Sequence, residues 1–414
     1  MLKQHILHTS IIKINRKMNP TTTFFIKKKF QEHYKKDPPQ SPPNLKQREW
    51  GFLMFDPQSG MRRHKGFLSD LEMQEYVQAM VPAHVYHSAA YYEHPAAGTM
   101  NEKKWLGADL IFDLDADHLP EPADSYKGML DDVKKETLKL IGFLTDDFGF
   151  EDDELHIAFS GGRGYHIHIR DSKVLTLGSP QRREIVDFLS GTGLKIENFI
   201  KKEQVSGFKA GKMKDEITYT LSQSGWGKHI SKYFSDHLRN LSLLEENEIV
   251  EELKKNGMRM KKQRDNIIKV IRDEKTIKKI EMGNIDIAHY SEKFFSNLTK
   301  KAIDQNKISS LVGAQTDEPV TADVKRLIRA ASSLHGKSGM KVISLTVDQL
   351  YDFDPLIDAV VFGNNEIKIN VTKPTTIEMM DERFELDEGK NILPEYAAIY
   401  LMCRGGAEYM EVRV

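Results

Sequence analysis

Asp113 and Asp115 stand two residues apart in the run Ala108-Asp-Leu-Ile-Phe-Asp-Leu-Asp-Ala-Asp117. In an extended strand successive side chains leave opposite faces, so both carboxylates share one face while Phe112 and Leu114 take the other. Two carboxylates held close on a rigid strand repel unless a cation lies between them, and hard oxygen ligands at that spacing suit Mg²⁺ or Mn²⁺. A pair of such ions serves phosphoryl transfer: one lowers the pKa of the attacking hydroxyl and the other neutralises the leaving pyrophosphate. Taken alone the doublet also fits a strand end running into an acidic turn. Asp117 continues the alternation but lies beside His118 and Pro120, which assigns it to that turn.

A second constellation is Phe159-Ser-Gly-Gly-Arg-Gly-Tyr-His-Ile-His-Ile169, which reads as strand, glycine turn, strand. Gly161, Gly162 and Gly164 permit close backbone approach, so amide N–H groups and the Ser160 hydroxyl can face a phosphate. Arg163 adds a planar fork for phosphate oxygens and His166 a further donor, with His168 on the same strand face. A tight hairpin with an exposed arginine is the plainer reading.

The third runs from Asp317 through Lys325, Arg326 and Arg329 to the Ser332–Gly339 loop with His335 and Lys337. Thr321 or Asp323 is expected to cap a short helix carrying the three cations. Gly336-Lys337-Ser338 invites a P-loop reading, which fails because the glycine required five residues earlier is Ala331 and no apolar strand precedes it. What remains is a set of cations and a histidine able to grip a triphosphate, with Asp317 as a candidate third metal ligand. An amphipathic helix with a basic loop is the alternative.

These residues need a rigid frame. The chain has 414 residues, with 60 Lys+Arg against 61 Asp+Glu and 39% hydrophobic residues, enough for a large domain with an insertion or for two to three domains. Near-neutrality hides polarity: residues 101–155 hold 16 acidic against 6 basic side chains, so the aspartate doublet lies in the most acidic part of the chain. No apolar run reaches the roughly 18 residues of a membrane-spanning helix. The single cysteine, Cys403, excludes an internal disulfide, a four-cysteine zinc site and a protein-held iron–sulfur cluster. The first 31 residues lack acidic side chains, as in a basic transit segment; without a clean apolar region or cleavage site, and with Met18 as an alternative start, they are expected to be an extension.

Apolar periodicity gives strands at Trp50–Phe55, Val85–Tyr92, Ala108–Asp115, His156–Phe159 and Tyr165–Ile169, and a helix from Tyr126 to Phe148 facing Val133, Leu138, Ile141 and Leu144 inward. Later strands are expected at Val342–Leu345, Ala359–Phe362 and Ile367–Val371, with a helix near Pro394–Arg404. The expected fold is α+β, a mixed α/β core. It divides into a basic N-terminal extension and helix (residues 1–44), a first core segment (45–179), a mainly helical insertion (180–310) and a second core segment (311–414).

Together and in this order, the three motifs resemble those of the small catalytic subunit of archaeal and eukaryotic DNA primases, with the archaeal replicative branch the better fit. Arg48-Glu-Trp-Gly-Phe52 and the stretch Pro82–Glu93 also look like that family, and the likeness runs from Phe24 to the end of the chain. It implies a primase-type catalytic core with a helical insertion, making RNA or DNA primers on a single-stranded DNA template from ribonucleoside and deoxyribonucleoside triphosphates. It further implies Asp113, Asp115 and Asp317 as catalytic metal ligands for Mg²⁺ or Mn²⁺, and Ser160, Arg163, His166, Arg329 and His335 as nucleotide contacts. His84 and Tyr86 fall in a segment lining the same pocket, and the role of Arg48 stays open. The implied partner is a large primase subunit with an iron–sulfur domain, in the cytoplasm of an archaeal cell and at the nucleoid during replication.

Two departures stand out. Many relatives carry zinc-binding cysteines and histidines after the doublet, whereas His118–Met129 holds no cysteine, so no structural zinc is expected. The loop that commonly reads Leu-Pro-Gly is Ala330-Ala331-Ser332. A Mn-dependent glycosyltransferase shares the Asp-x-Asp pair, and the second motif argues against it; an end-joining repair primase-polymerase shares the doublet and the Ser-Gly turn, and the helical insertion and the Ser-Leu-His-Gly-Lys segment weigh against it.

Overall fold

The computed structural model describes residues 18–118, 123–194, 196–209, 212–255, 257–285 and 316–411. They form two compact units. The first comprises the described residues up to Leu138, Phe150–Val186 and the chain from Thr316 onward; the second comprises Lys139–Gly149 and the described residues from Asp187.

The first unit is built on two four-stranded antiparallel sheets. One contains β1 (Trp50–Leu53), β2 (Met61–Lys65) and β3 (His84–Ser88), with β11 (Leu327–Arg329) at its edge, in the order β11-β3-β1-β2. Beside it in sequence, β4 (Ala90–Tyr92) pairs with β5 (Trp105–Ala108). The other sheet contains β6 (Leu110–Asp115), β7 (Leu155–Phe159) and β8 (Gly164–Ile169), with β12 (Ile343–Leu345) at its edge, in the order β12-β7-β8-β6. Alternation sets its two faces. Phe112, Leu114, Ile157, Phe159, Tyr165, Ile167 and Ile169 are buried on one side, each worth roughly 1.5–3 kcal/mol on removal from water. That burial leaves the aspartates and histidines no choice of face, because a one-residue slip would expose the whole apolar set.

The helix Pro20–Lys36 belongs to this unit, which corrects the expectation that the compact domain starts near Leu45. Asn19 caps it by accepting a hydrogen bond from the Thr22 amide, and Pro20 opens its first turn. Ile26, Phe30 and Tyr34, four residues apart, are fully buried, while Phe24 points to solvent. Phe25 stacks on Tyr409 at 4.1 Å, so the two ends of the described chain meet. Phe24, Phe25, Phe30 and Tyr34 among lysines mark an amphipathic helix in the sequence; that Ile26, Phe30 and Tyr34 dock it onto the core is what the structure adds.

The helix Tyr126–Asp146 buries Val133, Ile141 and Leu144 as expected, with Leu138 half-buried. The segment Ala359–Phe362 is a turn and loop, since only its first carbonyl is engaged, by the Lys341 amide. The C-terminal helix Glu395–Cys403 is buried along its whole length.

In the second unit, helices Trp226–Ser242, Glu246–Lys255, Lys261–Ile271 and Glu274–Glu281 bury Ile230, Phe234, Leu238, Leu253, Ile267 and Ile277. A mainly helical reading of this stretch needs one correction. β9 (Ile200–Lys209) and β10 (Lys212–Leu221) form a ten-residue antiparallel ribbon. The signal was present in Ile217-Thr-Tyr-Thr-Leu221, but the lysines of both strands broke the alternation by which a half-buried strand is recognised.

Candidate active site

β6 places Asp113 opposite His166 and Asp115 opposite Gly164 on β8. The third carboxylate arrives from the other end of the chain: the Asp317 amide donates to the Asp113 carbonyl at 2.9 Å, and Asp317 is the N-cap position of the short helix Glu318–Ala322. Val320 of that helix packs in a cluster with Ala89, Ile111 and Ile328, which fixes the helix against the strand behind Asp113. Asp113, Asp115 and Asp317 therefore occupy one neighbourhood, and the first two remain partly open to solvent, their side chains 19% and 33% exposed.

Each strand carboxylate already has a partner. His166 Nε2 lies 3.4 Å from Asp113 Oδ1. Arg163 grips Asp117 with both terminal nitrogens, at 2.8 and 2.5 Å, and its Nη2 also reaches Asp115 at 3.2 Å. Among the described residues no group of three or more His, Cys, Asp or Glu side chains is placed to hold a metal ion by itself. An open arrangement is what Mg²⁺ uses when it is held by one or two carboxylates together with substrate phosphates. The donors fit such a role: all are anionic oxygens, two on a rigid strand and the third, Asp317, at the start of a helix.

The glycine turn between β7 and β8 has the predicted form. Ser160 Oγ accepts from the amides of Gly162 and Gly164, and the Gly161 and Gly162 carbonyls are tied by Ser338 Oγ and by the Tyr126 hydroxyl, the latter at 2.6 Å. Gly161 has φ +74°, and a β-carbon there would come within 2.8 Å of the His335 side chain. The turn is thus glycine-rich because it must turn left-handed and because His335 lies directly on it.

Arg329 is on a strand. Asp323 Oδ1 accepts from the Lys325 amide, the chain straightens, and Leu327–Arg329 adds to the edge of β3 with Arg329 opposite Tyr86. This corrects the expected helix through Lys325, Arg326 and Arg329; the helix ends at Ala322, and its cap position is Asp317 instead of Thr321 or Asp323. The β3 register turns the Arg329 guanidinium onto the Tyr86 hydroxyl at 2.9 Å and His84 Nδ1 at 2.8 Å. An arginine can only donate, so Nδ1 of His84 accepts and is unprotonated. Burial first, then the charges of Arg329 and Lys337, push the His84 pKa well below its usual range. His335, edge-on to His84 at 4.8 Å, is pushed down the same way by burial and by Arg329. Both are neutral donors or acceptors at pH 7. Lys337 is exposed.

His166 and His168 share a strand face but have different partners. His166 is buried beside Asp113, its Nδ1 without a hydrogen bond; burial lowers its pKa while Asp113 opposes the shift. His168 sits 3.8 Å from Asp109 and is lowered to about 4, chiefly by burial. Asp109 explains Arg48. Both are fully buried, the guanidinium meets both carboxylate oxygens at 3.1 and 3.0 Å, and the Tyr91 hydroxyl adds a third bond at 2.6 Å. Burial opposes ionisation of Asp109, and His168, Arg48 and Tyr91 outweigh it, holding the carboxyl well below its ordinary range. Arg48 also donates to the Ser88 and Ala89 carbonyls, so it ties the end of β3 to the residue that precedes β6. Asp117, Tyr126 and Ser338 were not marked as site residues by the sequence. The outward alternation of Asp117 was the one available signal among them.

The model for the DNA primase small subunit matches residues 112–347, a span that opens at the aspartate doublet and includes the glycine turn and the Ser332–Gly339 loop. The chain belongs to the DNA primase small subunit family. Archaeal proteins named DNA primase small subunit PriS resemble it over nearly their whole length: that of Methanococcoides burtonii is 46% identical across 95% of this chain and 100% of its own. The protein of Methanothrix thermoacetophila is 47% identical across 94% and 100%, and that of Methanocella arvoryzae 44% across 95% and 100%. The glycosyltransferase reading ends with this membership. Among the described residues no helix is long and apolar enough to cross a membrane.

Proposed function

We propose that this chain is the catalytic subunit of a two-subunit archaeal primase, which synthesises short RNA or DNA primers on single-stranded DNA by two-metal phosphoryl transfer. The observation that carries the reading is the Asp317 amide bound to the Asp113 carbonyl, which joins a third carboxylate to the doublet beside two loops suited to phosphate. Mg²⁺ or Mn²⁺ held by Asp113, Asp115 and Asp317 would supply charge neutralisation at the phosphates and acidify the attacking hydroxyl. The chain's own residues do the rest. Ser160 braces the glycine turn, Arg163 and Arg329 neutralise phosphate charge, and neutral His335 donates to phosphate oxygens without demanding a proton from solvent. His166, buried against Asp113, fixes that carboxylate's orientation.

The partner in this reading is a large subunit with its own iron–sulfur domain, the substrates are ribonucleoside and deoxyribonucleoside triphosphates, and the setting is the cytoplasm at the nucleoid. Structural zinc has no part in it. The test is primer synthesis on single-stranded DNA with Mg²⁺ or Mn²⁺, with and without the large subunit. Metal-dependent dinucleotide formation by the chain or the pair is expected. Binding of DNA without any incorporation in either case would overturn the proposal, and preference for gapped or broken duplex ends would favour the repair-type primase-polymerase.

A further inference from the structure

The C-terminal helix Glu395–Cys403 is buried throughout, so Arg404 is the first residue after it that reaches toward solvent. Its guanidinium lies over two rings that are tilted against each other, 4.8 Å from the centre of Tyr126 and 5.1 Å from that of Tyr400. Burial raises the pKa of both tyrosines, so both stay neutral and neither cancels the arginine's charge. Among the described residues no carboxylate is ion-paired with Arg404, whose side chain instead reaches the Tyr126 hydroxyl. A half-buried guanidinium held in a fixed plane, charged and without an anion, is a binding element in search of one.

Its position says which anion. The hydroxyl of Tyr126, on whose ring Arg404 rests, donates to the Gly162 carbonyl of the glycine turn. Cys403 and Ile399 lie under Gly339, where a β-carbon would come within 2.8 Å of Ile399, so the end of this helix supports the His335–Gly339 loop. Arg404 is also among the charges acting on His335. It therefore stands where the two phosphate-directed loops meet.

We infer that Arg404 is a further cation of the triphosphate cradle, held in place by Tyr126, which acts as a positioning residue for both the guanidinium and the glycine turn. The inference rests on reading that cradle as the nucleotide site. The alternative is that Arg404 only pins the C-terminal helix to the helix beginning at Tyr126 by stacking.

The deciding experiment measures calorimetric affinity for Mg²⁺ with inorganic tripolyphosphate on the full-length chain, in wild type, Arg163→Ala, Arg404→Gln and Arg404→Lys. One charge-assisted contact to phosphate corresponds to about tenfold in affinity, so Arg404→Gln should weaken binding by about that factor and Arg404→Lys should recover most of it. Tyr126→Phe keeps the ring and loses the Gly162 bond; it should raise the nucleotide KM several-fold and leave kcat and DNA affinity nearly unchanged. Should Arg404→Gln fail to fold, mass-spectrometric mapping of arginine modification by phenylglyoxal on the wild type replaces it. Tripolyphosphate should then protect Arg404 along with Arg163. Wild-type affinity in Arg404→Gln, or protection of Arg163 without Arg404, would overturn the inference and leave the nucleotide site standing. Absence of tripolyphosphate binding by the wild type would overturn the site itself.

Discussion

Asp113 and Asp115 are held near a histidine and an arginine, and this shapes what their removal should do. Replacing either by alanine takes away a charge that its neighbours only partly offset, so folding should survive, with the thermal midpoint moved by a few degrees at most. Nucleotide incorporation should be lost. Near-normal incorporation by the double variant would refute the metal assignment. Arg163→Ala should raise the nucleotide KM more than it weakens template binding, and because Arg163 also touches Asp115, the concentration of Mg²⁺ needed for half-maximal activity should shift as well. A loss of DNA affinity with unchanged nucleotide titrations would reassign the turn to the template.

The elements show where sequence patterns suffice and where they stop. Strand, glycine turn and strand were legible in residues 155–169 because a local run carried all of it: apolar alternation, then three glycines, then alternation again. The face shared by Asp113 and Asp115 was legible for the same reason. Arg329 was not, because its conformation is set by pairing with β3, some 240 residues earlier, and no local pattern encodes a distant edge. The helix Pro20–Lys36 was legible as a helix, but its docking onto the core was not, for a related reason: what buries Tyr34 is the loop whose Leu334 amide donates to its hydroxyl. At this scale Gly164 gives a sharp test. A β-carbon there would come within 2.2 Å of the Leu114 carbonyl on the neighbouring strand, an approach that no side-chain rotation relieves. Gly164→Ala should cost ~3 kcal/mol, visible as a fall in the denaturation midpoint, because β6 and β8 must separate to admit it. A variant as stable as the parent would mean that the two strands are not paired in this register.

For the whole molecule, the buried histidines make a statement about pH. His168 is lowered to about 4 in the folded chain against about 6.5 when unfolded, and His84, His87 and His335 are lowered well below that ordinary value. The unfolded chain therefore binds more protons between those values. Stability from His168 is fully present above pH ~6.5 and is lost as the pH falls toward 4, on the order of 3 kcal/mol for this residue. The thermal midpoint should drop steeply between pH 6.5 and 4, and His168→Gln should flatten part of that slope. An unchanged slope would show that the ring is hydrated. Metal content is a second test at this scale: the chain as purified should hold no stoichiometric zinc, and a zinc chelator should leave the melting curve unaltered. One tightly held zinc per chain by elemental analysis would contradict this.

Each of the two four-stranded sheets takes three strands from the first 170 residues and its last edge strand from beyond residue 316. Asp317 joins Asp113 across the same interval. During synthesis on the ribosome, the doublet, the glycine turn and both unfinished sheets emerge first. They must wait, with β3 and β7 each lacking a neighbour, while the second unit is translated. The proposed metal site is thus completed only when Asp317 has emerged, and a chain truncated between Ile169 and Asp317 carries Asp113, Asp115, Ser160, Arg163 and His166 without Asp317, Arg329 or His335.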